Sequence, residues 1–134
     1  MSYWRLFYHF TWGTKYRQDL IDPAYEENLY RLITTKAQQL GAQVFAIGGT
    51  ANHVHLVVSV PPNLALTKFI GQVKGFSSHV INAEFHPEIP FAWQHQFGVL
   101  SLGGKQLDML VNYVLHQKEH HAEKQLISGL EADR

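Results

Sequence analysis

The sequence predicts an α+β fold: a ferredoxin-like split βαβ domain with an antiparallel sheet, helices on one face, and an appended C-terminal helix carrying a tyrosine. Three observations predict it. Stretches of strand and helix periodicity follow one another as β-α-β-β-α-β-α, and the first six are the split βαβ order. The second and third strands flank Gly48-Gly49-Thr50, as a hairpin requires. The seventh element is joined through Gly103-Gly104, a flexible connection.

The first strand is Tyr3-Trp4-Arg5-Leu6-Phe7-Tyr8-His9-Phe10-Thr11-Trp12, rich in aromatic side chains that suit a pleated surface. A loop over residues 13–17 follows and carries Lys15 and Arg17. Asp22-Pro23 reads as an N-cap followed by a first-turn proline. Tyr25, Leu29, Leu32, Ile33, Ala37 and Leu40 then recur at helical spacing, and Gly41 supplies a stop. Residues 44–47 form a short strand. Residues 53–60 form the next strand, which Pro61-Pro62 ends.

The second helix shows Leu66, Phe69, Ile70, Val73, Phe76 and Val80 on its apolar face and Lys68, Lys74, Ser78 and His79 on the other. Residues 92–102 read as an extended segment ending in a strand. The last helix runs from about residue 105 to about residue 126, with Leu107, Leu110, Val111, Val114 and Leu115 toward the core. Tyr113 and Gln117 then lie on the shoulder of that apolar face.

The 134 residues fit a single domain spanning 1–134, and 46% apolar against 16% charged residues describe a chain that buries a core. The absence of cysteine excludes disulfides and thiolate metal sites. No apolar run reaches membrane-spanning length and no signal-peptide layout opens the chain, so no membrane partner and a cytoplasmic location are expected. Eleven basic and eleven acidic residues give a net charge of zero, which argues against a strongly basic nucleic-acid binder. The charges are unevenly placed, however. Residues 1–18 carry Arg5, Lys15 and Arg17 without an acid, and residues 28–83 carry Arg31, Lys36, Lys68 and Lys74 without one. A local positive surface that attracts phosphates and ordinary scatter both fit this pattern.

Candidate chemistry centres on Asn52-His53-Val54-His55-Leu56. On a strand, His53 and His55 share a face, and two adjacent imidazoles can chelate a metal. With nine histidines in the chain, two ordinary histidines on a wet sheet face are the simpler reading of the triplet alone. Tyr113 and Gln117 add to it. Four residues apart on a helix, they are separated by about 40° around the axis and about 6 Å along it. Two imidazoles and an amide oxygen leave positions on a divalent cation for a phosphate oxygen. A nearby phenol, with a pKa of about 10, can attack that phosphorus once its proton is removed. His116, His120 and His121 offer alternative metal ligands.

These residues carry a family resemblance. Asn52 to Leu56 resembles the HUH motif (His, bulky hydrophobe, His) of the single-tyrosine HUH transposases, and Tyr113-Val114-Leu115-His116-Gln117 resembles their tyrosine helix. This family comprises the small insertion-sequence enzymes of TnpA type and their REP-associated relatives. His9 to Arg17, Val73 to Ser78, Trp93-Gln94 and Lys118-Glu119-His120-His121 fit it as well, so the resemblance covers nearly the whole chain. It implies a DNA transposase that nicks and rejoins single-stranded DNA at hairpin-marked ends. His53, His55 and Gln117 would hold Mg²⁺ or Mn²⁺. Tyr113 would form a 5′-phosphotyrosine and release a 3′-hydroxyl. Lys15, Arg17, Lys68 and Lys74 would face DNA, and the working unit would be a homodimer. Other readings stay open: an idle relative that binds DNA or RNA hairpins, a ferredoxin-like regulatory module, and a rolling-circle initiator domain.

Overall fold

The structure, a computed structural model, describes residues 4–117. Its elements are β1 (Phe7–Gly13), α1 (Glu26–Gln39), β2 (Gln43–Gly49), β3 (His53–Ser59), α2 (Leu66–Phe85), β4 (Gly98–Leu102) and α3 (Gly104–Leu115), in the order the sequence predicts. The strands form one sheet, β2-β3-β1-β4, with every neighbouring pair antiparallel. This is the ferredoxin-like topology, with β3 and β1 in the middle.

Alternation along the strands divides the side chains between two layers. Phe10, Trp12, Val54, Leu56 and Val58 point to one face and pack against Leu29, Ile33 and Ala37 of α1 and Phe69, Ile70, Val73 and Ile81 of α2. Each large apolar side chain buried there contributes about 1.5–3 kcal/mol. On the opposite face a smaller cluster joins Ala46 and Val57 to Leu110, Tyr113 and Val114 of α3. The appended helix therefore covers the sheet face that α1 and α2 leave.

Several boundaries differ from the sequence reading. Asp22 caps a turn, not the helix itself: its Oδ1 accepts from the Ala24 N–H at 2.8 Å, and α1 opens at Glu26. Gly41 does end α1, with φ +90°, and the Ala42 N–H returns to the Ala37 carbonyl at 3.0 Å. Gly48 and Gly49 lie within β2, and the turn is residues 50–52; the bulge sits earlier, between Val44 and Ala46. On α2 the buried line runs through Ser77 and Ile81, whereas Phe76 and Val80 stay half-exposed.

On α3 the buried residues are Leu110, Tyr113 and Val114, so Tyr113 belongs to the core face and not its shoulder; Leu115 points outward. The helix ends at Leu115, and Gln117 lies just past its cap residue His116. The start of the predicted first strand at Tyr3, and residues 118–126 of the predicted last helix with His120 and His121, lie outside the described residues.

Candidate active site

The antiparallel register of β1 and β3 sets Gly13 opposite His53 and Thr11 opposite His55, with His9 opposite Val57. These positions share the sheet face on which α3 packs, where the helix lies against β2 and β3. The result is a polar strip in the middle of the sheet: His9, Thr11, His53 and His55 are each at least 97% buried. Buried polar groups of this kind require partners. His53 Nδ1 lies 2.9 Å from Asn52 Oδ1 and 3.0 Å from Thr50 Oγ1. Because an amide oxygen only accepts, His53 carries its proton on Nδ1. His55 Nδ1 lies 2.8 Å from His9 Nε2, with Thr11 Oγ1 at 3.3 Å.

The helix brings the tyrosine onto this strip. The Tyr113 ring stands edge-on to His55, with centroids 6.0 Å apart and planes at 87°. His53 and His55 are themselves 5.0 Å apart at 78°. Gln117 is buried and lines a small cleft with Gly48 and Gly49, the β2 residues paired with His55 and Val54. This close approach needs glycine. A Cβ on Gly48 would stand 2.3 Å from the Val114 carbonyl oxygen.

With Nδ1 of both rings turned to the protein, Nε2 is the nitrogen that His53 and His55 would each present to a cation. Among the described residues no group of three or more His, Asp or Glu is arranged to hold a metal. The two imidazoles, with ring centroids 5.0 Å apart, are a donor pair for a divalent transition ion, and Gln117 is the expected third ligand. His116 is exposed, its Nδ1 beside the Asn112 carbonyl at 2.9 Å, and it lines the same cleft as Gln117.

The four expected DNA-facing cations divide. Arg17 reaches the strip: a Cβ on Gly13 would stand 2.6 Å from Arg17 Nη1 and 2.6 Å from Gln94 Oε1, beside His53. The tight turn carrying it holds Tyr16 and Arg17 at φ 57° and 56°, a left-handed conformation uncommon outside glycine. Lys15 is exposed on the same turn, its Nζ 5.5 Å from the Tyr16 ring. Lys68 is exposed on α2, across the sheet from the histidines.

Lys74 is not on an exposed face as the sequence suggested. It is buried and donates to the carbonyls of Gln94, His95 and Gln96 at 2.6, 3.1 and 3.3 Å. Burial lowers its pKa from the ordinary lysine value, while three carbonyl oxygens favour the ammonium. Asn82 fixes the same segment through both backbone groups of Phe91, and the Trp93 indole N–H donates to Ser77. Lys74 thus supports the site by holding the backbone from which Gln94 reaches Gly13. Lys74→Met is expected to lower the unfolding free energy by about 2 kcal/mol, read as a fall in the urea midpoint; an unchanged midpoint would contradict this anchoring.

Sequence reasoning gave no individual part in the site to His9, Thr11, Asn52, Gly48 or Gln94. The polar residues at alternate positions of β1, His9 and Thr11, were the available signal, since they share a face with the paired histidines of β3.

Comparison with known proteins places these features in context. The family described as "Transposase IS200 like" matches residues 2–117. The ISDra2 transposase TnpA of Deinococcus radiodurans is 31% identical over 75 residues, which are 56% of this chain and 54% of that protein. The match therefore spans about half the length of that relative. The transposase for insertion sequence element IS200 of Salmonella typhimurium is 22% identical over 122 residues, 87% of this chain and 79% of that protein. Two solved structures share the fold. One is a candidate transposase of Deinococcus radiodurans R1, with TM-score 0.69 and 24% identity, covering 87% of this chain and 95% of that one. The other is a REP-associated tyrosine transposase bound to a REP hairpin, with TM-score 0.67 and 16% identity, covering 90% and 74%.

Proposed function

The chain belongs to the IS200-like transposase family, and from that premise we propose that it nicks and rejoins single-stranded DNA at hairpin-marked ends, using Tyr113 as the nucleophile. The observation that carries this reading is the convergence of Tyr113 with His53 and His55 on one buried face, from elements sixty residues apart in the chain. The regulatory-module reading is set aside by the family. The hairpin bound by the REP-associated neighbour supports a hairpin partner here. The homodimer remains part of the proposal, carried by the resemblance.

His53, His55 and Gln117 would hold Mg²⁺ or Mn²⁺. When bound, such an ion withdraws charge from the phosphate and helps align it. The chain's own residues do the rest. Tyr113 Oη bonds to phosphorus as the bond to the 3′-oxygen breaks. The phenolic proton leaves, and the departing 3′-oxygen takes one up to become a hydroxyl. The 5′-phosphotyrosine ester keeps the energy of the broken bond, so a second 3′-hydroxyl can displace the tyrosine without ATP. Arg17 offers a guanidinium beside His53 for a flanking phosphate.

In this structure α3 packs against β2 and β3 with Tyr113 against His55, so a DNA strand gains entry to that pair when the helix shifts. Its small apolar cluster and the Gly103-Gly104 connection suit such movement.

His53→Ala and His55→Ala are each expected to reduce Mn²⁺-dependent cleavage of hairpin DNA by about 100-fold or more while hairpin binding persists. Wild-type cleavage by both variants would reject these ligands. Hairpin binding by the wild-type protein with no cleavage in either metal would favour the idle-binder reading.

A further inference from the structure

We infer that His9 is a positioning residue that fixes His55 in the tautomer able to bind a cation. The inference rests on the reading of His55 as a metal ligand. His9 is buried on β1, diagonal to His55 across the strand pair, and its Nε2 lies 2.8 Å from His55 Nδ1. The two rings are tilted by only 24°. A single proton lies between those nitrogens, and its owner decides the chemistry. When His55 owns it, His55 Nε2 carries a lone pair. When His9 owns it, His55 Nε2 carries a hydrogen and cannot ligate.

A solvated imidazole prefers its proton on Nε2, so the ligating form has to be imposed. For His53 the Asn52 amide oxygen imposes it. For His55 the acceptor is His9 Nε2. Thr11 Oγ1 lies 3.3 Å from His55 Nδ1 and 3.4 Å from His9 Nε2, a weaker alternative. An imidazole acceptor also suits the substrate. It orients His55 without placing an anion where a phosphate must come, as a carboxylate in that position would.

The test uses metal-free full-length protein and two variants. Imidazole-nitrogen NMR of the wild type, at a pH where the rings are neutral, is expected to show His55 protonated on Nδ1 and unprotonated on Nε2. By calorimetric Mn²⁺ titration, His9→Phe, which fills the space without an acceptor, is expected to bind about 10- to 100-fold more weakly. His9→Gln, which restores an acceptor oxygen, is expected to recover most of that loss. His55 protonated on Nε2 in the wild type would overturn the inference, as would wild-type Mn²⁺ affinity in a folded His9→Phe variant. Absence of Mn²⁺ binding by the wild type, or unchanged binding by His53→Ala, would instead remove the metal-ligand reading. The tautomer measurement, made without metal, then still decides the role of His9.

Discussion

Tyr113→Phe is expected to abolish the covalent DNA adduct completely while leaving the protein folded and able to bind its hairpin. The ring lies within the cluster formed with Ala46, Val57, Leu110 and Val114, and it stands edge-on to His55. Phenylalanine fills the same space and keeps those contacts. The stability change is therefore about 1 kcal/mol or less, the ordinary net value of a lost hydroxyl interaction. The reaction loses its only proposed nucleophile, and no rearrangement of a phenyl ring restores one. End-labelled single-stranded DNA on a denaturing gel reads the outcome as a slow band present for wild type and missing for the variant. A slow band of wild-type intensity from the Phe variant would remove Tyr113 from its role.

Gly48→Ala is expected to lower cleavage by about 100-fold without touching any reacting group, because a misplacement of about 1 Å at the chemistry is enough for that loss. The added Cβ would stand 2.3 Å from the Val114 carbonyl oxygen and 3.2 Å from its carbon. Both are backbone atoms, so no side-chain rotation relieves the clash. Either β2 bends or the end of α3 rises. Since Gly48 pairs with His55 and Val114 adjoins Tyr113, either response shifts the tyrosine against the histidines. The overpacking is expected to cost about 1–3 kcal/mol, seen as a lower melting temperature. Gly71→Ala on α2 is the control. A Cβ there meets nothing within 4 Å, and helix propensity favours alanine by about 0.5–1 kcal/mol. Normal cleavage by a folded Gly48→Ala protein would show that α3 does not need its close seat on β2.

Residues whose partners lie on the same strand or helix were legible in the sequence. Alternation put His53 and His55 on one face, and helical spacing put Leu29, Ile33 and Ala37 on another. What stayed hidden depended on contacts between distant segments. The rotation of α3 could not be read from its apolar stripe, because the surface beneath it mixes Ala46 and Val57 with the polar His55. That surface accepts Tyr113 and leaves Leu115 outside. Lys74 looked solvated by type, but three carbonyls some twenty residues away make its burial tolerable. Gly48 and Gly49 resembled a turn because glycine usually marks one. Here they lie in a strand, where a Cβ on either would collide with neighbouring backbone.

The most direct measurement is mass spectrometry of the peptide bearing Tyr113, after the protein has been incubated with hairpin-bearing single-stranded DNA and Mn²⁺ and then digested with protease and nuclease. The account requires a nucleotide joined through its 5′-phosphate to Tyr113, absent when EDTA replaces Mn²⁺. Cleaved DNA with an unmodified Tyr113, or with the nucleotide on a different residue, would contradict it.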